Sequence, residues 1–212
     1  MTTAAKTARK RNPRGRGDRL REEIIEAATR LVTETGGASQ LSLRGVAREV
    51  GIAATSVYLH FPDIDQLKAV LVDRGFAELN QARAAAMKGI TDPAAALLVR
   101  YRAYSQFAVE NPGIYRLMFG PYLPDALAFD SADSPGRQAF LGAVEYVKRC
   151  QEAGMASTDA DPFRLATLAW AAVHGTVCLR IDRPNFPWPP LDEMVDDMIQ
   201  RIIGLPGGPA WR

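Results

Sequence analysis

Cysteine and histidine are scarce in this 212-residue chain, with two of each: Cys150 and Cys178, His60 and His174. Each cysteine stands alone in an apolar helical stretch, which excludes a disulfide framework and points to buried thiols in a reducing cytosol. The two cysteines do not form a metal-binding pair and no second histidine lies near His174, so the sequence calls for no metal and no cofactor. A long apolar run is also missing. The most apolar segment, 165–179, is broken by Thr167, His174, Gly175 and Thr176 and is too short to span a bilayer. The basic N-terminus has no apolar run behind it and does not read as a secretory signal, so a cytoplasmic protein is expected. Strand-like alternation of useful length is absent, which leaves an all-α fold. So are a serine-centred elbow and a glycine-rich phosphate loop. The acidic pair Asp196 and Asp197 is adjacent in sequence, and neighbours on a helix diverge too far to share a substrate atom. The expectation is a binding protein, not an enzyme.

An excess of one charge is lacking overall, with 26 basic against 24 acidic residues. The distribution is uneven. Through Arg21 there are eight Lys or Arg, including Arg14 and Arg16, against Asp18 alone, a local net of +7 that leaves −5 for the rest. A basic arm directly ahead of a folded unit can neutralise DNA phosphates or enter a minor groove; by composition it also reads as a solvated, disordered tail, and an arm that orders only on DNA is both.

What is present centres on residues 41–61, LSLRGVAREVGIAATSVYLHF. Leu43, Val46, Ala47 and Val50 recur at helical spacing, with Ser42 able to cap the start and Gly51 able to leave the helix sharply. Ile52 can plug the gap to a second helix over about Ala54 to His60. There Val57 and Phe61 face inward while Thr55, Ser56, Tyr58 and His60 point elsewhere, and Pro62 ends it. Short hydroxyls beside an aromatic suit a helix lying in a major groove.

These residues resemble the DNA-binding domain of the TetR family of transcriptional regulators, over about 21–72, with SVYLHFP following VAREVGI as the specific match. Two positions depart from the family pattern. Ala53 stands where a serine commonly caps the recognition helix, leaving Thr55 to substitute, and Ile64 replaces a lysine expected to touch phosphate. The resemblance implies that Ala54, Thr55, Ser56 and Tyr58 approach bases or backbone, with Tyr58 and His60 directed at phosphates. Ser42 and Arg44 would hold the backbone from the preceding helix, and Arg14 and Arg16 would add salt-dependent affinity.

The remaining chain reads as further helices. One runs from the cap Asp18 to about Glu34, its stripe formed by Leu20, Ile24, Ala27, Ala28, Leu31 and Val32, and stops at Gly36-Gly37. A long one follows Asp63 to about Met87, with a bend expected at Gly75. Next come helices from Asp92-Pro93 to Glu110, from Ile114 to Phe119, and from Gly136 to Gln151, the last after a loop with a turn of helix expected at 125–129. The final two span 161–180 and about 191–203, joined by the stiff, proline-rich 183–190. The organisation expected is a basic arm (1–17), a helix-turn-helix unit (18–63), a helical ligand-binding and dimerisation unit (64–204) and a tail (205–212).

Within the larger unit, Tyr101, Tyr104, Phe107, Tyr115, Met118, Phe119, Phe140 and Trp170 form an aromatic-rich set. It reads either as core or as the lining of a small-molecule cavity, and the three tyrosines favour the cavity because buried phenols need partners. Trp170, His174 and Gly175 form a W-x-x-x-H-G pattern resembling the C-terminal regulatory domain of a subset of TetR-type regulators. His174 then reads as a hydrogen-bonded core residue or a ligand contact, and Gly175 as a place where another helix comes close. The neutral lining suggests an apolar or aromatic effector, with Arg102, Arg116 or Arg180 available for a carboxylate. The resemblance further implies a homodimer through the helices 161–180 and 191–203, binding double-stranded DNA at a palindromic operator and released, as a repressor, by the effector. The competing expectation is a dimeric DNA-binding protein that needs no ligand.

Overall fold

Short polar side chains and prolines set the helix starts. Ser42, Asp63, Asp92, Ser134 and Asp161 each accept a backbone N–H from the first turn that follows them. Pro93, Pro112, Pro135 and Pro162 open their helices, where a missing N–H costs nothing. The computed structural model describes residues 16–120 and 134–206, and every regular element among them is a helix: α1 (Arg16–Thr35), α2 (Leu43–Val50), α3 (Ala54–Tyr58), α4 (Ile64–Ala86), α5 (Pro93–Glu110), α6 (Pro112–Phe119), α7 (Pro135–Glu152), α8 (Pro162–Asp182) and α9 (Leu191–Ile203). The expected turn at 125–129, and Arg14 with most of the basic arm, lie outside the described residues.

Three boundaries differ from the sequence reading for identifiable reasons. Helix α1 is already helical at Arg16, the first described residue, so Asp18 lies within the helix near its positive dipole end instead of capping it. Helix α3 ends at Tyr58, two residues short of His60; the chain tightens into a turn in which the N–H groups of His60 and Phe61 both donate to the Val57 carbonyl. Helix α6 begins at Pro112, so that Asn111 ends one helix and starts the next.

Helices α1, α2 and α3 pack on one another at one end, while α5 runs through the middle of the remainder against α4, α7, α8 and α9. Helices α4 and α6 touch both parts, and two glycines set how closely. A Cβ at Gly75 would lie 2.7 Å from Met118 Sδ, so this glycine seats α6 closely against α4, which runs as one helix through this position. A Cβ at Gly113 would collide with the Val32 carbonyl oxygen, so only glycine lets α6 rest on the end of α1. Ion pairs reinforce the seam. Arg74 of α4 meets Glu22 of α1, and Arg116 of α6 meets Asp182 of α8 while also donating to the Gly36 carbonyl. At the other end, Gly204 adopts φ 76° and turns Leu205 back into the core, so packing extends one residue past 204. Among the described residues, no helix is long and apolar enough to cross a membrane.

Candidate functional site

The α2–α3 unit presents its polar side outward. Ser42 Oγ accepts the Gly45 N–H at 3.1 Å, and Leu43, Val46 and Ala47 are buried, with Val50 half-buried. Gly51 sits at φ 77°, a left-handed conformation that side chains resist, and Ile52 folds back with its N–H on the Ala47 carbonyl at 2.9 Å. This turn fixes the direction of α3, with Val57 and Phe61 buried beneath it. Of the residues expected to meet DNA, Ser42, Arg44, Thr55 and Tyr58 are exposed, and Ala54, Ser56 and His60 are half-buried. Arg16 opens α1 on the same part of the molecule. Leu59, omitted by the sequence reading, is 84% exposed, and its position directly after Tyr58 was the available signal. No side-chain hydrogen bond caps α3, so Thr55 does not replace the missing serine. Ile64 packs against the core.

A second centre lies inside the larger part, where α5, α6 and α8 meet. Trp170 Nε1 donates to the Tyr104 hydroxyl at 3.2 Å; the Tyr104 and Tyr115 hydroxyls are 2.6 Å apart; and Tyr115 reaches His174 Nδ1 at 2.5 Å, nearer than Tyr104 at 3.1 Å. With the shorter contact taken as the bond to the ring, protons run from Trp170 through Tyr104 and Tyr115 to Nδ1. Nε2–H then faces Cys178 Sγ at 3.4 Å. The helix step of four residues puts Trp170, His174 and Cys178 on one face. An accepting Nδ1 requires a neutral ring, and burial pushes the His174 pKa down in agreement. Burial likewise raises the phenols, Tyr104 to about 12 and Tyr115 further, so both stay protonated donors. Tyr104 and Tyr115 therefore satisfy each other and the histidine, and need no bound molecule for it.

Beside this network is a small cavity of about 30 Å³ lined by Phe76, Leu79, Tyr101, Tyr104, Phe119, Phe140 and Trp170, among others. Of the expected ligand set, Tyr101, Tyr104, Phe119, Phe140 and Trp170 border it. Tyr115, Phe119 and His174 border a more open cleft of about 330 Å³ between α6, α8 and the Gly36–Ser39 turn. Phe107 and Met118 line neither; they are core residues.

The cavity is not neutral, as the sequence had suggested. Arg83 of α4 and Arg100 of α5 both line it. Arg83 is 8% exposed; its guanidinium lies 5.4 Å from the Tyr104 ring centre, one Nη reaches Asn80 Oδ1 at 3.5 Å, and Nε has no hydrogen-bond partner. Desolvation first, and repulsion from Arg100 second, push its pKa down to about 9, which leaves it charged at neutral pH. Arg100 Nη2 donates to the Ala139 carbonyl at 2.5 Å, and burial lowers its pKa as well. A Cβ at Gly142 would lie 2.7 Å from that nitrogen, so the glycine makes room for the guanidinium. Among the described residues, no carboxylate pairs with either arginine. The three arginines expected to hold a carboxylate are engaged elsewhere: Arg102 with Asp196, Arg116 with Asp182, and Arg180 with the Pro189 carbonyl and the Trp188 ring. Gly175 has open space where its Cβ would be, so among the described residues no other helix packs on it.

The comparisons with known proteins agree with this layout. Residues 24–71 match the family model "Bacterial regulatory proteins, tetR family", and residues 97–203 match "Tetracyclin repressor-like, C-terminal domain". A protein of unknown function from Rhodococcus sp. RHA1 is similar at 28% identity and TM-score 0.73, over 88% of this chain and 95% of that one. The TetR family transcriptional regulator PfmR from Thermus thermophilus shares the fold at 18% identity and TM-score 0.63, over 86% of this chain and 98% of that one. The fatty acid degradation regulator FadR from Bacillus halodurans does so at 16% identity and TM-score 0.66, over 92% of this chain and 97% of that one. With an outward-facing helix-turn-helix at one end and a matched regulatory domain over half its length, this chain belongs to the TetR family of transcriptional regulators.

Proposed function

We propose that the protein is a cytoplasmic, homodimeric repressor of transcription that leaves a palindromic operator when a small molecule occupies its C-terminal part. The observation that carries the reading is α3, which holds Thr55 and Tyr58 outward, with Leu59 exposed directly after it, on a unit whose direction is fixed by Gly51. Thr55, Ser56 and Tyr58 read the major groove with Ala54 close to the backbone; Ser42, Arg44 and His60 grip phosphates; Arg14 and Arg16 extend the contact. Residues 18–63 act as the DNA-binding unit and 64–204 as the sensing and dimerising unit, with α4 as the rod between them.

Dimerisation uses α8 and α9. The outer side of α8 carries exposed Leu168, Ala171 and Leu179, and Gly175 among them faces open space that a partner helix can fill. On α9, Met194, Met198 and Ile202 are only half-buried within one chain. A two-fold dimer built this way presents two copies of α3 and requires half-sites about one DNA turn apart. The effector has an apolar or aromatic body, in keeping with the cavity's lining. A buried guanidinium whose Nε has no hydrogen-bond partner and which no carboxylate of the described residues meets favours this reading over a ligand-independent DNA-binding dimer. The Asn80 and Tyr104 contacts offset only part of the desolvation of Arg83.

Selection of duplexes from a random pool by the full chain tests the proposal. A two-fold symmetric consensus bound by a dimer supports it. Recovery of sequences without symmetry, or binding by a monomer, contradicts it.

A further inference from the structure

We infer that the effector is an organic carboxylate whose head group lies between Arg83 and Arg100, with an apolar or aromatic body against Phe76, Phe119, Phe140 and Trp170. The inference rests on the reading of the C-terminal part as a sensing unit and specifies what it senses.

Three independent features meet at this place. The first is Arg83, more than nine-tenths buried, with its Nε unpartnered and its guanidinium lining the cavity. The second is a further cation, Arg100, on the same cavity, accommodated by the absence of a side chain at Gly142. The third is the surroundings: aromatic rings and alanines, and no acidic residue among the described residues of the lining. Two like charges brought together away from water raise each other's cost, and an anion removes that cost for both. A guanidinium offers its N–H groups as a planar fork that matches the two oxygens of a carboxylate, and two forks can hold both oxygens from different sides. The volume of about 30 Å³, room for about two waters, takes the carboxyl head alone, and on this inference Phe76, Phe119, Phe140 and Trp170 move apart to admit the body. The ring-lined walls favour a carboxylate on an apolar body over a free inorganic anion, which would gain nothing from them.

The position of Arg83 supplies the coupling. It lies 19 residues beyond Ile64 on one continuous helix, about 28 Å along the axis. The cap of that helix, Asp63, follows directly on the turn that ends the recognition segment. An anion drawing Arg83 toward Arg100 acts on the near end of a rod whose far end carries the helix-turn-helix. Tyr104 adds a second link, because its ring lies under Arg83 while its hydroxyl belongs to the Trp170 and Tyr115 network.

The test is thermal unfolding of the full chain with benzoate, 3-phenylpropionate, butyrate and octanoate, each beside its primary amide, and with inorganic phosphate. At a hundredfold excess over Kd, at least one carboxylate should raise Tm by about 5 to 10 °C while its amide and phosphate leave Tm unchanged. Arg83→Met should lose that response and, without ligand, melt at or above the wild-type temperature, because it removes an uncompensated buried cation. A purely structural arginine would show the opposite. If Arg83→Met does not fold, Arg100→Gln gives the second reading, with carboxylate affinity down at least tenfold. No shift with any of the four carboxylates, equal shifts with the amides, a shift with phosphate alone, or an undiminished response in the arginine variants overturns the inference. Operator binding is titrated on the same preparation without ligand. Its failure removes the regulator reading and leaves carboxylate binding standing, whereas intact operator binding without any carboxylate effect removes this inference alone.

Discussion

The two ends of the molecule treat polarity in opposite ways. Around α2 and α3 the interior is wholly apolar, built from residues such as Val46, Val57 and Phe61, and the polar groups point out from a surface set by one glycine turn. Around α5 the polar groups point in: four hydroxyl-bearing or nitrogen-bearing rings are bonded in series, and two guanidiniums share an aromatic cavity. The first arrangement is cheap to fold and presents a fixed shape to a large partner. The second keeps a charge at a cost of several kcal/mol in desolvation, the cost that the inferred carboxylate would offset. Stability lies at one end and poise at the other, and α4 with α6 joins them.

The contrast is broken hardest at the seam. Gly113→Val drives a side chain into the Val32 carbonyl, and should cost about 3 kcal/mol or detach the helix-turn-helix unit from the rest, read as a lower urea midpoint or as two separate transitions. A single transition at the wild-type midpoint would show that α6 does not couple the two ends.

An intermediate effect distinguishes the buried network from the outer surface. Because the folded protein holds His174 below its ordinary pKa, the native state refuses a proton that the unfolded chain accepts. The contribution of this residue is complete above about pH 6.5 and is lost as pH falls toward the lowered native value. Urea midpoints measured from pH 7.5 to 5.5 should therefore fall more steeply for the wild type than for His174→Gln. Equal slopes would mean that the ring carries no such constraint.

The smallest effect belongs to the outward end. Ala53→Ser restores an acceptor at the start of α3 and should add about 0.5 to 1 kcal/mol to stability, with no change at the cavity. A gain there with altered carboxylate binding would blur the division between the two ends.

What could be read from the sequence follows the same division. The helix-turn-helix was legible because its chemistry is local: capping serine, apolar triplet, glycine and α3 lie within twenty residues. Helix starts were legible from Asp-Pro pairs, and helix ends were missed by a few residues where a turn such as that at Val57 closes on carbonyls and not on side-chain signals. The cavity was half legible. Its aromatic residues stood out by type, but Arg83 and Arg100 looked like two of many exposed arginines, since which side of α4 and α5 is buried depends on helices far along the chain. Likewise, Gly75 read only as the place of a bend, while its use and that of Gly113, close approach of α6, is a property of two surfaces meeting. The tyrosines were expected to want an outside partner; they instead satisfy one another through His174, a pairing across 59 residues that no spacing rule predicts.

The central claim is that α3 meets DNA outward, once per subunit, from a dimer. Tyr58→Ala tests it most directly: the side chain is 46% exposed, so its removal should leave stability within about 0.5 kcal/mol of the wild type and the sedimentation of the dimer unaltered. The account predicts that the selected operator then binds at least tenfold more weakly in a mobility-shift titration. Wild-type affinity for that duplex would contradict it.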